Sequence, residues 1–322
     1  MRTITVEEHF ASPKFLDGPG REVREEAKAG GRFVKIVDQL CDLGDGRVAL
    51  MDAAGIDMQV LSLTAPGLEQ SETADALASA RETNDYLAAA VKKYPARFAG
   101  LAALAVGDPE EAARELERRV RQDGFKGAVI NGHNRGRYLD DKLFWPILEC
   151  AEALDVPILL HPTRPPLPVI AASYGGFSPF ITHMLAGPGW GWHIETAVHV
   201  IRLILGGAFD RYPKLQLSIG HLGEGLMSMF QRLDIMSPAM TKLNRPVTAY
   251  LRDNVHYSFS GFNYLPTFLN LLLEVGVDRI MFSVDHPYQS MAQGHAFLDQ
   301  LPVSTADKER IAHGNAEKLF KV

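Results

Sequence analysis

Short, nearly continuous apolar runs alternate along this chain with longer stretches in which apolar residues recur at helical spacing. That rhythm is how a parallel sheet with crossover helices reads, because strands covered on both faces lose the alternation of a half-exposed strand. Eight strands are expected: Thr3–Glu7, Met58–Leu63, Phe98–Leu104, Gly127–Ile130, Pro157–Leu160, Leu215–Ile219, Val255–Phe259 and Ile280–Val284. In βα alternation they predict an α/β fold, the (β/α)8 TIM barrel.

Helix ends are marked in the same way. Asp108-Pro109-Glu110-Glu111 supplies an N-cap carboxylate, a proline at the first helical position and acidic side chains beside the positive end of the helix dipole, and Gly124 stops that helix. Further helices run from about Ser71 to Lys92-Lys93-Tyr94-Pro95, from about Asp140 to before Val156-Pro157, and from about His193 to Gly206-Gly207. Ser304, with Asp307, opens a closing C-terminal helix.

Two stretches break the rhythm, Phe10–Asp45 after the first strand and Thr163–Gly191 after the fifth. Loops that follow barrel strands stand on the catalytic face, so both are expected to act as lids over a pocket. The alternative is two disordered surface insertions; Phe177, Phe180, Trp190 and Trp192 argue against it for the second, since flexible linkers are poor in aromatic side chains.

At 322 residues the chain is expected to form one decorated barrel domain over residues 1–322. Its net charge of −6 comes without a basic block, which removes nucleic acid from the expected partners and favours a small molecule. Cys41 and Cys150 are too few and too far apart for a disulfide framework or a thiolate zinc site, and are expected as buried thiols. Met1-Arg2-Thr3-Ile4-Thr5-Val6 carries no apolar leader and no later apolar run is long enough for a bilayer, so cytoplasmic residence without membrane association is expected.

Metal-competent side chains fall at the C-terminal ends of the strands. In Val6-Glu7-Glu8-His9 the period of two puts Glu7 and His9 on one face and Glu8 on the other; the pair suits a divalent ion in a barrel mouth, or a surface ion pair. His161 closes Pro157-Ile158-Leu159-Leu160 as either a hydrogen-bonded core histidine or a ligand. His221 follows Leu217-Ser218-Ile219-Gly220, with Gly220 allowing close backbone approach. Glu224, three residues on where a helix is expected to start, can reach back to fix the His221 tautomer, or can serve as a helix cap. Asp285 ends Met281-Phe282-Ser283-Val284, where a carboxylate is costly to bury unless it is paired, coordinated or protonated. Together Glu7, His9, His161 and Asp285 make a mixed nitrogen and oxygen set suited to one zinc or manganese ion, with His221 uncoordinated beside it.

The other polar residues carry less. His199 is expected in the core, and His133, His256, His295 and His313 lack companions at ligand spacing. His183 and His193 border the second insertion and read as surface residues, with substrate contact as the alternative. His286 faces away from Asp285. Arg164 is expected on an exposed loop and Arg47 in a surface pair, while Asn131 faces the mouth toward substrate or backbone.

These motifs resemble the amidohydrolase superfamily, in particular its branch of metal-dependent nonoxidative decarboxylases, which includes the gamma-resorcylate, 2,3-dihydroxybenzoate and aminocarboxymuconate semialdehyde decarboxylases. The likeness covers nearly the whole chain. It rests on Glu7-Glu8-His9-Phe10, Asn131-Gly132-His133 with Arg137-Tyr138-Leu139-Asp140-Asp141, Leu160-His161-Pro162, Phe209-Asp210-Arg211-Tyr212-Pro213, Gly220-His221-Leu222-Gly223-Glu224, Phe282-Ser283-Val284-Asp285 and Gly314-Asn315-Ala316. It implies that Glu7, His9, His161 and Asp285 are metal ligands and that His221, supported by Glu224, is the catalytic histidine. Glu-x-His stands where hydrolytic relatives have His-x-His, which implies decarboxylation. His286 departs from the pattern, since those decarboxylases often carry Trp or Tyr there. A homodimer or homotetramer is also implied.

The expected reaction is loss of carbon dioxide from a small aromatic carboxylic acid, an ortho-hydroxybenzoate that chelates the metal through its carboxylate and phenolate oxygens. Direct loss would strand an electron pair in the ring plane, so the ring carbon is to be protonated first. Asp285 is the expected donor, and His221 either shuttles the proton or hydrogen-bonds the oxygen where charge changes. The alternatives are a metal-dependent hydrolase of a lactone or amide, in which Asp285 takes a proton from water, and a noncatalytic ligand-binding barrel.

Overall fold

Every residue in the strands of the computed structural model is buried, which is why the strands read as apolar runs. The structure describes residues 1–28 and 35–322. Strands β1 (Ile4–Phe10), β2 (Met58–Leu63) and β3 (Phe98–Gly100) form one parallel ladder. A second runs in order through β4 (Ala102–Ala103), β5 (Ala128–Asn131), β6 (Ile158–His161), β7 (Leu217–Ile219), β8 (Val255–Ser258) and β9 (Ile280–Met281). The ladders are one wall. Leu101 N–H donates to the Leu61 carbonyl at 2.9 Å and Ala102 N–H to the Gly127 carbonyl at 2.8 Å, so β3 and β4 are a single stave interrupted at Leu101. The other seam is closed by Val6 donating to the Phe282 carbonyl (3.2 Å), Asp285 to that of Glu7 (3.2 Å) and His9 to that of His286 (2.7 Å). The result is the (β/α)8 barrel that the pattern predicts.

Two strand ends differ from expectation in ways that matter for the site. β1 continues to Phe10 through a register irregularity between Thr5 and Glu8, so Glu7, Glu8 and His9 lie within the strand. Irregularities of this kind re-aim side chains at barrel rims. β9 ends at Met281, and the residues that carry Asp285 are held by the seam bonds instead of a ladder.

The predicted helix signals are used. Asp108 accepts from the Glu111 N–H at 3.1 Å to start Pro109–Asp123, and Gly124 ends it in the left-handed conformation. Thr73–Lys93 and Gly191–Leu205 stand where expected. The helix placed from Asp140 instead opens with a 3-10 turn, Lys142–Phe144, because Asp141 caps the Leu143 N–H at 3.0 Å; Trp145–Leu154 follows.

The described parts of both insertions are helical: Pro13–Asp17, Arg21–Lys28 and Ile36–Cys41 in the first, Leu167–Val169 and Pro179–Ala186 in the second. Residues 29–34 of the first lie outside the described residues. Arg164 joins the two, with Nη2 3.3 Å from Glu26 Oε1 and 2.8 Å from His183 Nδ1. Phe177, Phe180 and Trp190 face solvent. Cys41 and Cys150 are free and half-buried, not fully buried as expected. No described helix is long and apolar enough to cross a membrane.

Candidate active site

Glu7 enters the barrel from β1 and is locked by hydroxyls from the opposite side of the seam. Its Oε2 accepts from Ser258 Oγ at 2.8 Å and from Ser260 Oγ, while the Ser260 N–H donates to Ser283 Oγ at 2.6 Å. Its Oε1 is buried without a hydrogen-bond partner, 3.8 Å from His161 Nε2. His9 Nδ1 lies 3.3 Å from Ser62 Oγ; its buried Nε2 is 3.1 Å from Asp285 Oδ1 but makes no hydrogen bond. Glu7, His9 and His161 each present a ligand atom within 4.8 Å of the other two, and Asp285 closes in from the His9 side.

The electrostatics match that geometry. Burial raises the Glu7 carboxyl above its ordinary value, against the opposing pull of His221 and the Ser260 hydrogen bond. Burial, followed by repulsion from His9 and His221, drives His161 well below its ordinary value and keeps it neutral, the form that ligates metals. Two buried polar atoms without partners, Glu7 Oε1 and His9 Nε2, beside a neutral imidazole and a carboxylate, fit a divalent cation with nitrogen and oxygen ligands. Gly220 makes this close approach possible: a Cβ there would meet the Glu7 oxygens at 2.4 and 2.5 Å and Ser260 Oγ at 2.6 Å.

His221 stands on the far side of this cluster. The expected helix does not begin there. His221, Leu222, Gly223, Glu224 and Gly225 all have positive φ, between 50° and 92°, in a left-handed turn ahead of the short 3-10 helix Leu226–Met229. Each non-glycine residue so held costs about 1 to 2 kcal/mol, a strain typical of functional positions. The turn brings Glu224 Oε1 to 2.7 Å from His221 Nδ1, and Glu224 Oε2 to 2.6 Å from His193 Nδ1. These are hydrogen-bond distances in which the groups face one another, so the trio is a proton network and not a second cation site. Burial opposes charging His221, but the Glu224 carboxylate outweighs it and holds the imidazole at about 9; reciprocally, burial is outweighed at Glu224 by His221 and His193, which hold it at about 2.

A model of the amidohydrolase family matches residues 27–322. The chain belongs to that family. Among its relatives, a gamma-resorcylate decarboxylase from Polaromonas sp. strain JS666 is 39% identical, with 99% of this chain and 98% of the relative aligned. A 5-carboxyvanillate decarboxylase from Novosphingobium aromaticivorans, solved with manganese and 3-methoxy-4-hydroxy-5-nitrobenzoic acid, superposes with a TM-score of 0.92 at 35% identity, covering 100% of this chain and 97% of that one. A dihydroxybenzoic acid decarboxylase from Polaromonas sp. JS666, solved with manganese and 2-nitroresorcinol, gives 0.90 at 38% identity, covering 99% and 97%. The chain lies in the metal-dependent decarboxylase branch of the amidohydrolases.

Several residues of this amidohydrolase sit elsewhere than sequence reasoning put them. Arg47 is not in a surface pair but buried, donating to the His9 carbonyl (2.8 Å) and to Gln59 Oε1 (2.7 Å); burial lowers it to about 10. His193 is not a surface residue: its side chain is 12% exposed, its ring 4.6 Å from that of His221. His199 is a core residue as expected, accepting from the Leu139 N–H at 2.9 Å. Asn131 pairs in register with His161; its backbone N–H donates to Glu69 Oε1 at 2.8 Å, and its buried Oδ1 has no partner.

Further neighbours of the cluster carry no assigned role in the sequence. Glu8, facing the other side of β1 as the alternation predicts, accepts from the Val284 (2.7 Å) and His286 (3.0 Å) N–H groups and so fixes the segment bearing Asp285. Ser258 and Ser260 share a face at the spacing of two, a signal that hydroxyls enter the barrel there. Aromatic walls flank the cluster. Trp192 packs 6.5 Å from His161, Phe262 lies 5.1 Å from both His193 and His221, and Tyr288 lies 5.7 Å from His9.

Proposed function

We propose that this chain decarboxylates a benzoate with a hydroxyl group ortho to the carboxylate, with Asp285 as proton donor and His221 as the partner that handles charge on the oxygen. The broader activity, metal-dependent decarboxylation of hydroxylated aromatic acids, is that of its relatives along the full chain. The observation that carries the finer reading is the placement of Asp285 and the Glu224-supported His221 around the cluster of Glu7, His9 and His161, between aromatic walls.

Glu7, His9, His161 and Asp285 would hold a divalent ion, manganese or zinc, which supplies Lewis acidity and a template for the substrate's oxygens. Trp192, Phe262 and Tyr288 offer ring faces and edges to a flat substrate and limit water around it. Asp285 takes the proton of the ortho hydroxyl as the substrate seats and passes it to the ring carbon that bears the carboxylate. The bond from that carbon to the carboxylate then breaks, its electron pair restores the aromatic ring, and carbon dioxide leaves. The product oxygen regains a proton from solvent. His221, hydrogen-bonded through Nδ1 to Glu224 Oε1 at 2.7 Å, would in its protonated form donate from Nε2 toward that oxygen while its charge changes.

Asp285→Asn tests the assignment. The variant keeps the shape of the side chain and loses the transferable proton, so turnover should fall by roughly 10²-fold or more while the fold stays intact by circular dichroism. Near-normal carbon dioxide release from the variant contradicts the assignment.

A further inference from the structure

Glu224 is a fully buried carboxylate with two histidines on it, one per oxygen, and only His221 has so far been given a task. His193 is the third residue of the helix Gly191–Leu205, directly after the second insertion. Its Nδ1 is committed to Glu224 Oε2 at 2.6 Å, and its other nitrogen, Nε2, lies 3.1 Å from Trp192 Nε1 and 3.2 Å from the Pro188 carbonyl. Its ring rests edge-on against His221 at 4.6 Å and against Phe262 at 5.1 Å.

We propose that His193 is a positioning residue for His221, acting through Glu224. A carboxylate bonded through one oxygen can rotate and swing; bonded through both, it is clamped in its plane, and the imidazole bonded to it is clamped in turn. Without the His193 N–H, Oε2 would be a buried acceptor with no partner, a state costly enough that the carboxylate would turn to relieve it. The turn that carries His221 is held through its backbone, Leu222 donating to the Ser258 carbonyl (2.9 Å) and Gly223 to that of Gly220 (2.8 Å), so the freedom left to His221 is that of its ring, which Glu224 fixes at Nδ1. The Trp192 Nε1–H donates to His193 Nε2, which ties this clamp to the residue that follows the second insertion, and Trp192 itself packs on His161. His193 touches none of Glu7, His9 or Asp285 through a hydrogen bond, so its effect falls on the aim of His221 and not on substrate binding.

This inference rests on the reading of His221 as the group that handles charge, and the test separates the two. His193→Asn retains an N–H donor near the place of Nδ1; His193→Phe retains bulk and loses the donor. The expected result is a kcat lowered roughly 10- to 100-fold in His193→Phe with KM within about threefold of wild type, and most of that kcat recovered in His193→Asn, the size typical of losing a supporting partner behind a functional group. Equal loss in the two variants, or a loss carried by KM, overturns the proposal. A measurement on the unmutated protein stands even if His193→Phe does not fold: proton NMR of histidine-labelled enzyme should show two exchange-protected, strongly downfield imidazole N–H signals, one per histidine on Glu224. A single such signal overturns the clamp. Both signals in a protein that releases no carbon dioxide would support the clamp and sink the decarboxylase reading alone.

Discussion

A methyl group at position 220 would press on both oxygens of Glu7 at 2.4 and 2.5 Å, so the residue with no side chain sets how closely β7 and Glu7 approach. Gly220→Ala should therefore push Glu7 off its hydroxyl cradle, lowering metal affinity roughly 10- to 100-fold. Metal titration checks this, and an unchanged affinity would contradict it. The His221–Glu224 pair makes a second prediction, for the metal-free protein. His221 is raised from 6.5 to about 9, so its contribution to stability is complete below 6.5 and is lost as pH rises through 9. Glu224 is depressed from 4.5 to about 2, so its contribution is complete above 4.5 and is lost as pH falls toward 2. The stability difference between wild type and His221→Gln should thus be widest between about pH 4.5 and 6.5 and shrink toward pH 9 in thermal melts. Glu7, His9, His161, His221 and Asp285 were legible because each interrupts or ends an apolar strand, where a polar group needs a reason. Arg47 and His193 were not, because each lies in a helix whose sequence does not say which face meets the barrel, and their partners, His9 and Glu224, are far away along the chain.

At the scale of elements, the seam between β1 and β9 is where structure and chemistry meet. Glu8 replaces a missing stretch of ladder by accepting two backbone N–H groups from the segment that carries Asp285, and burial holds its carboxyl up at about 7 despite those bonds. Glu8→Ala leaves both donors buried without partners, a cost of roughly 2 to 6 kcal/mol at about 1 to 3 kcal/mol each. Urea denaturation should report that loss, and activity should fall with it because Asp285 rides on the freed segment. Full activity at reduced stability would separate the seam from the site. Alternation put Glu8 on the face opposite Glu7 and His9, yet nothing in sequence said what it bonds, since the register irregularity in β1 is set by its pairing with β2. The turn after β7 was mistaken for a helix because the spacing of His221 and Glu224 suits one. Gly223 and Gly225 on either side of Glu224 were the counter-signal, as glycines accept the positive φ that the turn imposes.

Across the whole molecule, the barrel was legible because its strands are buried on both faces and several are followed by helices with marked ends. The break at Leu101 and the closure between β1 and β9 were not, since both are decided by pairing between distant segments. The aromatics of the second insertion divide in space: Phe177, Phe180 and Trp190 point to solvent and Trp192 turns in toward His161. Because Glu7, His9, His161 and Asp285 come from β1, β6 and the end of the last stave, a bound ion would tie together parts of the barrel that are remote in sequence. Metal removal by a chelator should lower the melting temperature, with manganese at 100 times its dissociation constant restoring about 2.7 kcal/mol. The most direct test of the account is carbon dioxide release from a panel of ortho-hydroxybenzoates, comparing manganese-loaded protein with chelator-treated protein. Release is expected from at least one member, stopping on chelation and returning with metal. No release from any member, with metal content confirmed, would contradict it.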